Sequence, residues 1–154
     1  MTAVSSEPST DHSSSDFTSA ATVDGRGELD RLTVLGRTVR EAIPHVEVFP
    51  APANVMTVSF TTEELASLCP VTQQPDLSHV VIEYAPLEWC VESKSLKLFL
   101  WGFRDRAVFA EALSAEIAGE IMRTANPRWV RVVLTQRPRG GIEVRAVAHL
   151  GEGA

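Results

Sequence analysis

Apolar residues are sparse at the start of the chain and then arrive in blocks whose spacing predicts the elements. Residues 1–28 are dense in Ser, Thr, Ala, Asp and Gly, with Phe17 the only aromatic. Such a stretch cannot bury enough apolar surface to offset the entropy of ordering, so it reads as a disordered tail. From Leu29 the pattern changes, and residues 29–154 read as one folded domain. A short apolar stretch, Leu32 to Leu35, precedes an extended Val46-Glu47-Val48-Phe49 that runs into Pro50 and Pro52. Val55 to Phe60 mixes β-branched and aromatic residues and predicts the first clear strand, ended by the polar Thr61-Thr62-Glu63-Glu64. His79 to Tyr84 predicts the second, bounded by Pro75-Asp76 and Pro86.

Between these strands, Ser67 to Asp76 carries two prolines and small polar residues and suits an ordered loop. Residues 92–104 hold Leu96, Leu98, Phe99, Leu100, Trp101 and Phe103 without an interior proline; length and the lysines favour a helix over a buried strand. A second helix follows. Asp105 is placed to cap it, Phe109, Leu113, Ile117 and Ile121 recur every four residues, and Asn126-Pro127 stops it, while Glu111, Glu116 and Glu120 lie partly on other faces. Trp129 to Gln136 reads as a strand, Pro138-Arg139-Gly140-Gly141 as a turn, and Ile142, Val144, Ala146 and Ala148 alternate with polar positions to complete a hairpin. The order ββααββ predicts an α+β fold, with an antiparallel sheet carrying both helices on one face.

Composition narrows the function. A chain of 154 residues with 44% apolar residues can build one core. The net charge of −6 argues against a protein devoted to wrapping nucleic acid, which needs a clustered positive surface. Basic sites must therefore be local, and Lys94 with Lys97, then Arg137 with Arg139, are the candidates for holding a phosphorylated small molecule. Neither a membrane-length apolar run nor a basic-then-apolar leader is visible, so a cytoplasmic protein is expected.

Cys69 and Cys90 form no CxxC pair and have no histidine at zinc-finger spacing, so no metal site is expected. An isolated cysteine in a reducing compartment is either a small hydrophobe or a reactive thiol, and its neighbours must decide. Cys69 is followed by Pro70 and, seven residues on, by Asp76. A thiolate can attack the weakly electrophilic carbon of a nitrile, and a carboxyl can protonate the nitrogen as charge builds there. By spacing alone the pair is common. Cys90, His79 and His149 read as packing or surface residues, and Trp89, Trp101 and Trp129 as core or subunit-interface residues.

The wording around Cys69 adds more. Ser67-Leu68-Cys69-Pro70-Val71-Thr72-Gln73-Gln74-Pro75-Asp76 resembles the catalytic loop of the QueF nitrile reductases, and Val91-Glu92-Ser93-Lys94-Ser95-Leu96-Lys97-Leu98-Phe99 is similar to their signature for nicotinamide cofactor use. Further matches run through Trp101 to Arg104, Phe109 to Glu111 and Pro138 to Ile142, so the likeness covers roughly residues 54–145. It implies the tunnelling fold of the GTP cyclohydrolase I superfamily and NADPH-dependent reduction of 7-cyano-7-deazaguanine to 7-aminomethyl-7-deazaguanine, in the biosynthesis of queuosine for tRNA modification. It implies that Cys69 forms a thioimide and Asp76 donates the proton. Val91, Glu92, Ser93 and Glu111 would contact substrate, a carboxylate matching paired N–H donors of a purine-like ring. Ala110 would sit beside them, where many members carry histidine. Lys94 and Lys97, three residues apart on one side of a helix, would meet the cofactor's 2′-phosphate, with Arg139 a weaker candidate. No GxGxxG is present, so no Rossmann unit holds the cofactor.

A lone ββααββ unit exposes sheet edges, so a homo-oligomer with shared sites is expected. The family's short members imply a ring-based assembly such as a decamer. Three rivals remain. An amidinotransferase relative would add ammonia to the same thioimide, against which the intact Glu92-to-Lys97 signature speaks. A cyclohydrolase would need Cys and His zinc ligands, which two cysteines and four scattered histidines do not supply. A non-catalytic deazapurine-binding relative is favoured by Ala110 alone.

Overall fold

The computed structural model describes residues 31–153. The tail expected over residues 1–28 lies outside the described residues. Six strands and two helices follow in order: β1 (Val48–Pro50), β2 (Val58–Leu68), β3 (Pro75–Ala85), β4 (Trp89–Val91), α1 (Ser93–Trp101), a 3-10 turn (Gly102–Asp105), α2 (Ala110–Ala125), β5 (Trp129–Arg139) and β6 (Ile142–Gly151). The four long strands form one antiparallel sheet in the order β2-β3-β5-β6. Pairing between β1 and β4 makes a small second sheet that the sequence pattern did not predict.

Strand alternation sets the layers. Val80, Ile82 and Tyr84 of β3 and Val130, Val132 and Leu134 of β5 point to one face, and all six are essentially inaccessible. Against that face pack Leu96 and Phe99 of α1, Phe103 of the 3-10 turn, and the Leu113, Ile117 and Ile121 row of α2. Both helices thus cover one face of the sheet, as the alternation required.

Three boundaries differ from the sequence expectation. The first strand continues past Phe60 to Leu68, because the polar Thr61–Glu64 stretch is absorbed by a bulge: Thr62 pairs with Val80 but Leu65 with Ser78. One extra residue on β2 reverses which of its side chains face inward. Before the bulge the even positions Val58 and Phe60 face the core, and after it Leu65 and Ser67 do. The second helix begins at Ala110, with Phe109 at its N-cap and no side-chain cap bond, whereas Asp105 ends the 3-10 turn. The stop is as expected, Asn126 adopting a left-handed conformation at φ 41°. Gly140 and Gly141, at φ 60° and 82°, form the two-residue turn between β5 and β6. None of the described helices is long and apolar enough to cross a membrane.

Candidate active site

Cys69 opens the short connection between β2 and β3. Its N–H donates to the Gln74 carbonyl at 2.9 Å, and the Gln73 N–H returns to the Cys69 carbonyl at 2.9 Å. Gln73 adopts φ 58° to close this turn, and its amide donates to the carbonyls of Cys69 and Pro70 at 3.3 and 3.2 Å. The other flank is tied down as well. Leu68 donates to the Arg106 carbonyl at 2.8 Å, and Val108 donates to the Leu68 carbonyl at 3.1 Å. Arg106 is held in turn by a bidentate pair with Glu116 at 2.7 and 3.0 Å, above the Phe103 ring. The segment leading into α2 therefore braces the cysteine loop.

Above the loop lies Arg139, carried there by the Gly140-Gly141 turn. Its guanidinium donates to the Gln74 side chain at 3.2 Å and to the Thr72 hydroxyl at 3.4 Å. Its Nη2 is 2.6 Å from Asp76 Oδ1, too poorly aligned for a hydrogen bond, so this contact is charge pairing. Asp76 itself is 4% exposed. Donation from the Thr72 hydroxyl first, then from Arg139 and the N–H groups of Thr72 and Val71, lowers the Cys69 thiol from 9.0 to about 6. At neutral pH the sulfur is predominantly the thiolate, the form that acts as a nucleophile. Because donors to the charged form set this value, removing one raises it. Alkylation of Cys69 by iodoacetamide is expected to rise through pH about 6 in the wild type, and Arg139→Leu should move that midpoint upward. An unchanged midpoint would show that Arg139 does not act on the sulfur.

The second expected cluster starts at Val91, beside the far end of β3, and runs along α1 to a cleft beside the middle of β2. Val91 is buried and donates its N–H to the Tyr84 hydroxyl at 2.8 Å. Along β3, the eight steps from Asp76 to Tyr84 span about 26 Å at the usual rise per residue. Glu92, 6% exposed, caps α1 by accepting from the N–H groups of Lys94 and Ser95 at 2.8 and 2.7 Å. Lys94 reaches back to the carbonyls of Val34, at 2.6 Å, and Arg37, while Glu47 accepts from Thr33. Ser93 and Lys97 are exposed and line a cleft of about 520 Å³ between α1 and β2, walled by Phe60, Leu96 and Trp101. Burial pushes the Cys90 thiol up, as suits a packing residue.

Ala110 is 3% exposed and belongs to the core. Glu111 is exposed in the first turn of α2, three residues after the Val108 that bonds the cysteine loop. The structure thus brings Cys69, Asp76 and Arg139 together, with Glu111 at the same end. It keeps Val91, Glu92, Ser93, Lys94 and Lys97 on and around α1. Sequence reading passed over Thr72, although a hydroxyl three residues after a cysteine in a tight loop is a usable signal. It also assigned Arg139 to cofactor, whereas this side chain sits on the cysteine and the aspartate. Among the described residues, no group of three or more His, Cys, Asp or Glu is placed to hold a metal ion.

A family model described as QueF-like protein matches residues 75–153. The NADPH-dependent 7-cyano-7-deazaguanine reductase of Granulibacter bethesdensis is 44% identical over 119 residues, 73% of this chain and 78% of that relative. The chain belongs to the QueF-like family. The reductase of the same name from Rhizobium rhizogenes is 44% identical over 131 residues, covering 81% of this chain and 85% of its own length. Among solved structures, the apo crystal structure of the archaeosine synthase QueF-Like superposes with a TM-score of 0.61 at 25% identity, covering 66% of this chain and 99% of that one. These likenesses place the ββααββ unit in the α+β tunnelling fold. Read as a QueF-like unit, one chain presents two partial constellations, one on the cysteine loop and one along α1.

Proposed function

We propose that this chain reduces the nitrile of 7-cyano-7-deazaguanine to the primary amine with NADPH, using Cys69 as nucleophile and Asp76 as proton donor. The observation that carries this reading is a thiol held near pH 6 by Thr72 and Arg139 beside a buried carboxyl. The Cys69 thiolate adds to the nitrile carbon while a proton passes to the nitrogen, forming a carbon–sulfur bond and a thioimide. NADPH supplies hydride when bound. Hydride at the thioimide carbon, balanced by departure of the Cys69 thiolate, would leave an imine, and a second hydride with a proton from Asp76 would give the amine. Two hydrides balance the four electrons that a nitrile takes up on becoming an amine. Asp76 holds and delivers the proton at the substrate nitrogen, and Arg139 stabilises the thiolate each time it is released.

The cofactor's needs fit the α1 cleft. Lys97 offers an exposed cation to a phosphate, while Phe60 and Trp101 offer apolar faces. Lys94 must exchange its bonds to the Val34 and Arg37 carbonyls before it can serve the same end. Ser93 is exposed beside that cleft and open to substrate, whereas Val91 is buried with its N–H given to Tyr84, and Glu92 must exchange its capping bonds from the Lys94 and Ser95 N–H groups before its carboxylate can serve substrate. Glu111 is the carboxylate beside the cysteine loop.

The separation of these groups supports a homo-oligomer in which the α1 end of one subunit completes the Cys69 end of another. Mixing two inactive variants tests this. Cys69→Ala and Glu92→Gln subunits, co-refolded, are expected to regain part of the activity that each lacks alone. No recovery from a verified mixed assembly would place a complete site within each chain.

The archaeosine synthase neighbour keeps an ammonia-adding reaction in view as a second reading. Incubating the protein with the nitrile should produce near-ultraviolet thioimide absorbance, and adding NADPH should discharge it. Discharge by ammonia and not by NADPH would establish the second reading instead.

A further inference from the structure

Upstream of β1, residues Leu32 to Arg37 lie against the start of α1 as a strap, clamped by a carboxylate and an ammonium. The Glu47 carboxylate accepts from the Thr33 N–H at 2.7 Å, from the Thr33 hydroxyl and from the Val34 N–H at 3.4 Å. The Lys94 ammonium donates to the Val34 carbonyl at 2.6 Å and to the Arg37 carbonyl. Between these two carbonyls the chain makes a tight turn, with the Arg37 N–H on the Val34 carbonyl at 3.3 Å and Gly36 at φ 73°. Glu47 is the fixed anchor. It is buried, its N–H donates to the Ser95 hydroxyl at 2.9 Å, and its carbonyl accepts from the Glu92 N–H at 2.8 Å. Leu32 and Val34 are buried as well, whereas Leu35, Gly36 and Arg37 are exposed. Lys94 thus grips the half of the strap that has least else to hold it.

We propose that the strap and the cofactor's 2′-phosphate compete for Lys94, so that cofactor binding releases the Val34–Arg37 turn and an empty site keeps it closed. The competition rests on α1 binding the cofactor, as proposed above. A lysine ammonium is a compact charge on a flexible four-carbon stem, able to swing between partners. The strap carbonyls turn the negative ends of their dipoles toward it. A phosphate drawn to the same ammonium would face those oxygens at close range, and the repulsion favours one set of oxygens or the other. The phosphate wins when bound, because an ionised acceptor makes the stronger hydrogen bond and Lys97, three residues on, supplies a second cation. Leu32 and Leu35 also wall a cavity of about 480 Å³ that holds Glu92 and Ser93. Release of the turn therefore takes Leu35 off that cavity. A closed strap lowers the cofactor's apparent affinity in proportion to the fraction of molecules whose turn is open.

Trypsin reads the turn directly in the full-length protein, because the carbonyl of the Arg37–Thr38 bond it would cut is the one that Lys94 holds. Saturating adenosine 2′,5′-bisphosphate should speed cleavage after Arg37 roughly threefold or more, whereas 5′-AMP, which lacks the 2′-phosphate, should not. Cleavage after Arg131, within β5, should stay slow throughout and gauges global unfolding. Gly36→Ala places its methyl in open space but at a φ that L-residues disfavour, so it weakens the closed turn without a clash. It should raise ligand-free cleavage after Arg37 and tighten the bisphosphate about fivefold by calorimetry. Lys94→Met, unable to hold the carbonyls, should be cut quickly after Arg37 with or without ligand. Bisphosphate that binds wild type without changing cleavage after Arg37 would overturn the competition and leave the cofactor reading standing. An unchanged affinity in Gly36→Ala would do the same. A wild type that binds no bisphosphate would overturn the competition together with the cofactor reading beneath it.

Discussion

Cys69→Ala is expected to abolish NADPH consumption with the nitrile, lowering kcat by roughly a thousandfold or more while the protein stays folded. The size follows from covalent catalysis. Without sulfur there is no thioimide, and a nitrile carbon in solution is too weak an electrophile to take hydride directly. Folding should survive because Cys69 is only half-buried, and the loop it occupies is held by backbone bonds to Gln74, Gln73 and, through Leu68, to Arg106 and Val108. The near-ultraviolet band should vanish with the activity, whereas binding of the nitrile to the remaining groups should persist. Retained turnover in this variant, measured on protein free of wild type, would assign the nucleophile elsewhere.

Ile117→Ala is expected to be the most damaging of the core changes short of an aromatic deletion, costing about 2–5 kcal/mol of unfolding free energy. Ile117 is fully buried at the centre of α2, between Leu113 and Ile121, and faces the sheet. A domain of this size has about 5–15 kcal/mol in total. The change therefore removes a large share, and a urea titration will show it as a lower midpoint at similar slope. Activity at low temperature should fall less, since α2 supports the cysteine loop through its N-terminal approach and Glu116. A loss below about 1 kcal/mol would mean that α2 packs more loosely than its burial indicates.

Much of the fold was legible because period and punctuation agreed. The four-residue apolar recurrence from Phe109 to Ile121 gave α2, and Pro138-Arg139-Gly140-Gly141 gave the hairpin between β5 and β6. The strand ends were not legible. Thr61–Glu64 looks like a break, and only the tertiary pairing with β3 turns it into a bulge within one long strand. The β1–β4 pair escaped notice because each strand is three residues long and stabilised by its partner, not by its own pattern. Asp105 has the right residue type for a helix cap, yet the chain makes a 3-10 turn there and enters α2 only after Phe109.

The candidate site was legible in its parts and not in its geometry. Cys69, Asp76 and the α1 lysines stood out through the resemblance, but nothing in the spacing shows that Arg139 crosses to the cysteine loop. That contact depends on how β5 pairs with β3. Lys94 reads as a free cation in sequence, whereas its reach to Val34 and Arg37 depends on where the preceding segment runs. The same holds for Ser67, whose shared face with Asp76 follows from the bulge in β2.

The most direct test is a stopped assay of the purified protein with 7-cyano-7-deazaguanine and NADPH, following both the cofactor and the product. The account predicts two NADPH oxidised for each nitrile converted, with the primary amine as product. A protein that binds the nitrile, forms the thioimide band and leaves NADPH untouched would contradict it.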